Sequence, residues 1–317
     1  MEASARRALL DGIIDYAGLF PPATLPMAEA WREYGRHRAS PQAWMLGRFI
    51  CPAARLEELA ACLQPEESGV SLALLAARAP EAAALSETLA ADEAGWARFR
   101  TGQSGRARVE AWELRLPEDS PDGDALEAML AKGRALLSPD MDTFWEAGPD
   151  WDRGRLEALA EVLVRLNAGG GRHGLKLRCG GVTAAEFPTL DRVAMVITLC
   201  RDHGLPLKLT AGLHHPLRHW RPEPGVWMHG FLNVYFAAMA ALTHGLAERD
   251  LLPILSETRR DLFRLREGEL SWRELRVETS EVREARRLLP GHGSCSFDEP
   301  VADLRALGWL ESGGEGG

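Results

Sequence analysis

The sequence predicts a closed (β/α)8 barrel of TIM type, irregular in its last quarter, and three observations lead there. Six short apolar runs are each followed by a longer helical pattern, as expected for parallel strands joined by right-handed crossovers. No glycine-rich nucleotide turn follows the first run, which an open, doubly wound dinucleotide-binding sheet would carry. The chain has 317 residues, a length that suits one large α/β unit.

In chain order, residues 1–43 read as an N-terminal helical extension packed on the barrel, with helices near 3–14 and 27–38. Between those helices, Asp15-Tyr-Ala-Gly-Leu-Phe-Pro-Pro22 is a structured loop rather than a linker, because Gly18 and the proline pair fix its backbone. It either packs on the barrel wall, plugs one end of the barrel or reaches the site. The barrel domain is expected over 44–311, with strands at 44–50, 70–76, 108–116, 143–146, 174–178 and 205–210. Helical patterns follow them at 54–63, 80–98, 122–137, 152–167, 184–203 and 230–244. Further on, 247–266 and 282–289 read as helical, and 293–300 with 301–310 would supply the last strand end or loop and the closing helix. Six units come from the pattern and two only from the need to close. The tail 312–317 reads as disordered.

Composition narrows the function. The chain is 46% hydrophobic and 26% charged, as in soluble globular proteins. Its longest apolar run, around 231–242, is too short for a membrane span, and no secretory core follows the N-terminus, so a cytoplasmic location is expected. A net charge of −9 argues against nucleic acid or an anionic membrane as partner. The expected partner is a small anionic substrate in a local pocket, with homo-oligomerisation left open. Five cysteines without C-x-x-C spacing favour reduced thiols.

Of the 37 cationic residues only three are lysines, Lys132, Lys176 and Lys208, the other 34 being arginines. A chain that uses arginine for generic positive charge keeps lysine where a titratable amine is useful, because only lysine can act as base or form an imine. Strand alternation sends Lys176 and Arg178 inward from Leu175-Lys-Leu-Arg178, and Lys208 and Thr210 inward from Leu207-Lys-Leu-Thr210. Two ammonium groups on consecutive strands would depress each other's pKa. The alternative is that each is paired with an inward carboxylate such as Glu146.

Other strand ends complete the candidate site. Arg48 and Glu146 are inward candidates, and Glu113 or Glu110 could join them, the pattern not deciding which. Gly180-Gly181 forms a small turn whose N–H groups could approach an anion, with Arg178 beside it. His214 and His215 follow the Lys208 strand, and His229 precedes a helix whose first turn carries Asn233. A catalytic set of Lys208, Lys176, Glu146 and His214 is expected. Arg48, Arg178, Gly180, Gly181, Thr210, His215, His229 and Asn233 would bind substrate. No cofactor is expected. Metal binding by His214, His215 and His229 is the rival reading, weakened by Pro216, which forbids the helical His-x-x-x-His face of zinc hydrolases. Cys295 or Ser296 could also lie near the mouth.

Over residues 174–216 the chain resembles class I aldolases of the deoxyribose-phosphate aldolase type, through Lys176-x-x-x-Gly180-Gly181 and a second strand-end lysine, Lys208. The resemblance implies a (β/α)8 enzyme in which Lys208 or Lys176 forms an imine, the other tunes it, and Glu146 moves protons. This sequence lacks that family's Lys-Thr-Ser-Thr-Gly strand end, has glutamate in place of aspartate, and carries a long N-terminal prelude. The expected function is therefore lyase or isomerase chemistry on a small anionic carbonyl compound. A metal-dependent hydrolase and a non-catalytic ligand- or protein-binding barrel are the alternatives.

Overall fold

A computed structural model describes residues 4–311 apart from 65, 104, 138 and 139; the tail 312–317 lies outside the described residues. Eight parallel strands close into a barrel in sequence order: Ile14–Tyr16, Leu46–Pro52, Val70–Leu75, Ala107–Arg115, Asp142–Glu146, His173–Arg178, Leu207–Thr210 and His292–Ser294. Crossover helices such as Leu85–Gly102, Arg153–Ala168 and Leu190–His203 cover the outside. The chain is a (β/α)8 TIM barrel.

The first strand corrects the boundary drawn at residue 43. Ile14–Tyr16 pairs with His292–Ser294 on one side and with Leu46 and Phe49 on the other, so the presumed extension contributes a barrel stave. Three residues are too few to display a period of two, and a helical pattern upstream masks them. The closing strand has the same length, His292–Ser294, and lies at the start of the 293–300 stretch expected to supply the last strand end or loop.

Alternation divides the strand residues between two apolar regions. Leu175, Leu177, Leu207 and Leu209 face the helices in the main core. Ile50, Ala73, Ala111 and Phe144 fill the inside of the barrel. Gly293 leaves room there, since a Cβ on it would lie 3.0 Å from Ile50 Cδ1 and 3.2 Å from Thr210 Oγ1.

Between the seventh and eighth strands the chain makes a long excursion. It forms a hairpin of His219–Arg221 with Val226–Met228, and then a helix, Phe231–His244, whose buried residues lie on every face. The helix expected over 247–266 ends at Ser256, and a three-stranded antiparallel sheet begins at Phe263. The strand Phe263–Leu265 pairs with Glu269–Trp272, and these cross-strand bonds override the helical pattern.

Candidate active site

Lys176 and Lys208 are register partners on the sixth and seventh strands, and both point into the barrel. Carboxylates come from three other strands. Lys176 Nζ lies 3.0 Å from Glu113 Oε2 and 3.1 Å from Glu146 Oε2. Lys208 Nζ donates to Asp15 Oδ2 on the first strand, and Glu113 Oε1 stands 4.0 Å away. Asp15 in turn accepts the Arg48 backbone N–H at 2.6 Å and faces its guanidinium at 3.5 Å. Cations and anions thus alternate across the barrel interior from Arg48 to Glu146, with Glu113 between the two lysines.

This arrangement reverses the expected titration. Burial opposes charge on Lys176, but Glu113 and Glu146 outweigh it and raise the amine above its ordinary pKa. Burial likewise opposes ionisation of Asp15 and Glu146. Lys208 and Arg48 hold Asp15 below the usual carboxylate range, and Lys176 and Arg178 do the same for Glu146. The expected depression fails at Lys176, whose ammonium has two carboxylates within 3.1 Å. Glu113, left undecided against Glu110 in the sequence, faces both lysines, whereas Glu146 contacts Lys176 alone.

A cavity of about 280 Å³ opens at the carboxyl ends of the strands, the face where barrels of this kind carry out chemistry. Glu113 and Lys176 form its floor, and Thr210, Arg178, Gly181 and His214 line its sides. Lys208 is sealed beneath at 0% exposure, so Lys176, with 4% of its side chain accessible, is the amine that reaches the space. The loop after the first strand contributes Ala17, Phe20, Pro21 and Pro22, so it reaches the site. Lys176 and Arg178 also border a second cavity of about 560 Å³ outside the sixth strand, where Glu146 is found. The barrel-axis cavity is the candidate site, because Glu113 and the strand-end residues converge on it.

Several expected substrate contacts lie elsewhere. Arg48 sits toward the opposite end of the barrel, bound to Glu110 at 3.0 Å and near Asp142 at 4.0 Å, because its strand starts lower than its neighbours. Asn233 accepts from the Arg218 N–H and donates to the carbonyls of Ile254 and Glu257, so it pins two other backbone segments through three bonds. The start of its helix is filled as well: the Phe231 and Leu232 N–H groups donate to the carbonyls of His215 and Pro216. His229 is buried against the Pro188 carbonyl, its pKa lowered to about 4 by burial. His215 pairs with Asp303 at 2.6 Å, away from the cavity.

The glycine turn has its own occupant. The N–H groups of Val182 and Thr183, just after the glycine pair, each donate to Glu186 Oε2 at 2.8 Å, so the chain's own carboxylate lies against the turn expected to approach an anion. Gly180 is required by packing, since a Cβ there would lie 2.9 Å from Gly212 Cα. Arg178 keeps a freer guanidinium, 40% exposed, with its nearest carboxylate contact to Glu146 at 3.4 Å. His214, His215 and His229 have separate partners, and among the described residues no three His, Cys, Asp or Glu side chains are grouped to hold a metal.

No family model and no curated protein matches the chain. A solved structure, that of Leishmania donovani UMP synthase, is similar at 15% identity with a TM-score of 0.37. The match covers 64% of this chain and 42% of that one, so the chain spans less than half the length of that neighbour. Neither the family models nor the curated proteins support the resemblance to deoxyribose-phosphate aldolases read over 174–216.

Sequence reasoning missed Asp15, Arg221 and Glu299 as site residues. Asp15 belongs to a strand too short to recognise. Arg221 reaches the cavity from the hairpin His219–Arg221, and Glu299 reaches His214 from the first turn of the helix Asp298–Ala306. Only barrel closure brings these segments together.

Proposed function

We propose that this chain is an enzyme acting on small anionic carbonyl compounds, making or breaking a carbon–carbon bond through an imine on Lys176. The observation that carries the reading is the position of Lys176 Nζ on the cavity floor, between Glu113 and Glu146 and in register with the sealed Lys208. The ammonium passes a proton to one of the two glutamates as a carbonyl arrives, and the free amine attacks the carbonyl carbon. Loss of water gives an iminium that accepts the electron pair of the breaking bond. The same carboxylates give a proton to the resulting enamine and take one from the water that attacks the iminium, which releases the carbonyl product and the lysine amine. Lys208, held by Asp15, contributes positive charge beneath the site, and Arg178 with Arg221 holds the anionic end of the substrate.

Borohydride added with a panel of aldehydes and keto acids, followed by intact mass and peptide mapping, tests this. A reduced adduct on Lys176, and none on Lys208, is the expected result. No adduct on Lys176 with any member of the panel removes the imine.

The raised pKa of Lys176 favours a second reading, in which the resting ammonium donates its proton to a carbanion next to a carbonyl without a covalent step. Deuterium incorporation from heavy water into a keto acid, without a borohydride adduct, would select it.

A further inference from the structure

Three side chains at the rim of the cavity meet in an order that the lysine chemistry does not use. Cys295 directly follows the eighth strand, His214 lies in the loop after the seventh, and Glu299 is in the first turn of helix Asp298–Ala306. Cys295 Sγ stands 3.5 Å from His214 Nε2, and His214 Nδ1 stands 2.8 Å from Glu299 Oε2. A carboxylate at Nδ1 fixes the ring proton there and leaves the Nε2 lone pair facing the thiol. The set comprises a nucleophile, a base within reach of it and a group that orients the base.

The geometry is braced locally. Ser294 Oγ donates to the Ser296 carbonyl at 2.7 Å, and the Glu299 N–H donates to Ser296 Oγ at 3.2 Å. Those bonds set the path from the strand end to the helix. Cys295 and His214 both line the cavity, together with Arg178 and Arg221. Cys51, Cys179 and Cys200 are buried, and Cys62 is partly exposed at the end of helix Leu56–Cys62.

We infer that Cys295, His214 and Glu299 form a thiol–imidazole–carboxylate relay for acyl transfer from small anionic esters or thioesters to water. Sγ attacks the acyl carbon as its proton passes to His214 Nε2, and the carbonyl π pair moves to oxygen. Collapse of the tetrahedral intermediate breaks the bond to the leaving alcohol or thiol, which takes the proton from His214. Water, deprotonated by the same nitrogen, then attacks the acyl-cysteine. The carbon–sulfur bond breaks, and the thiol and a carboxylic acid are released. Glu299 keeps its contact with Nδ1 throughout. Burial raises the Cys295 thiol, with partial offset from the Ala23 backbone, so the resting group is a neutral thiol and His214 acts as base during the attack.

The test uses p-nitrophenyl acetate with the full-length protein, following nitrophenol release and mapping the acetyl group by peptide mass. A burst of one equivalent with acetylation at Cys295 is expected. His214→Gln should slow that acylation by on the order of a hundredfold. The iodoacetamide labelling rate of Cys62 should be unchanged in this variant, which shows that the fold is intact. Glu299→Gln should give a smaller loss. Acetylation of Cys295 no faster than of Cys62, or an unchanged Cys295 rate in His214→Gln, overturns the relay. Borohydride trapping on Lys176 is read separately, so the two readings fail independently.

Discussion

Asp15→Asn removes the carboxylate that joins Arg48 to Lys208 in the interior charge chain, and its cost follows from the contacts it loses. Asp15 is buried, with Lys208 on one oxygen and the Arg48 backbone and guanidinium around it. Asparagine keeps an acceptor for the backbone N–H but leaves Lys208 with Glu113 at 4.0 Å as its nearest negative charge, one already shared with Lys176. A unit-charge attraction over that kind of distance is about 4 kcal/mol at an effective dielectric of 20. Removing one partner of a buried pair typically costs about 3–5 kcal/mol, so the variant should lose that much stability at pH 7. This is about a fifth or more of the roughly 5–15 kcal/mol that ordinary domains possess.

Urea unfolding followed by tryptophan fluorescence measures the loss. Because the folded pKa of Asp15 is depressed, its contribution is present above the unfolded carboxyl value of about 3.9 and is lost as pH falls through the folded value. The gap between the two proteins should thus hold from neutral pH down to about pH 4 and close below it. Asp15→Asn/Lys208→Met should recover part of the loss, since both members of the pair are then gone. A gap under about 1 kcal/mol at pH 7, or one that stays constant into acid, would refute the account of the charge chain.

Asn233→Ala should cost roughly 3 kcal/mol or more by stranding three buried backbone groups. Thermal unfolding measures this, while trapping on Lys176 should be unchanged in the folded fraction. Gly174→Ala should destabilise strongly, because its Cβ would lie 2.3 Å from the Pro206 carbonyl oxygen. Gly95→Ala, in the helix Leu85–Gly102 with nothing nearer than 3.8 Å, should instead stabilise by about 0.5–1 kcal/mol. Equal effects from the two alanines in a denaturation series would contradict the packing described.

Much of the lysine placement was legible because the chain uses so little lysine and because Leu175-Lys176-Leu177 and Leu207-Lys208-Leu209 alternate cleanly. The charge state was not. It depends on Asp15, Glu113 and Glu146 arriving from three other strands, and no local pattern shows which of two glutamates, Glu110 or Glu113, ends up beside an amine. Arg48 has the right alternation yet the wrong height, because strand stagger shifts it down the barrel. The histidine-rich stretch is site-like by content, but His215 and His229 are occupied by Asp303 and the Pro188 carbonyl. His214 is the one that lines the cavity, and its partners lie more than eighty residues downstream.

The seam of the cylinder carries a kinetic consequence. Its two shortest staves, Ile14–Tyr16 and His292–Ser294, come before and after the other six strands in chain order, and each needs the other as a neighbour. Until the second emerges, the nascent sheet has bare edges that invite pairing with other chains. The Asp15–Lys208 link, 193 residues apart in sequence, ties together the two strands on either side of the closing stave. The gating event in assembly should therefore be the late joining of the ends rather than the formation of any single helix.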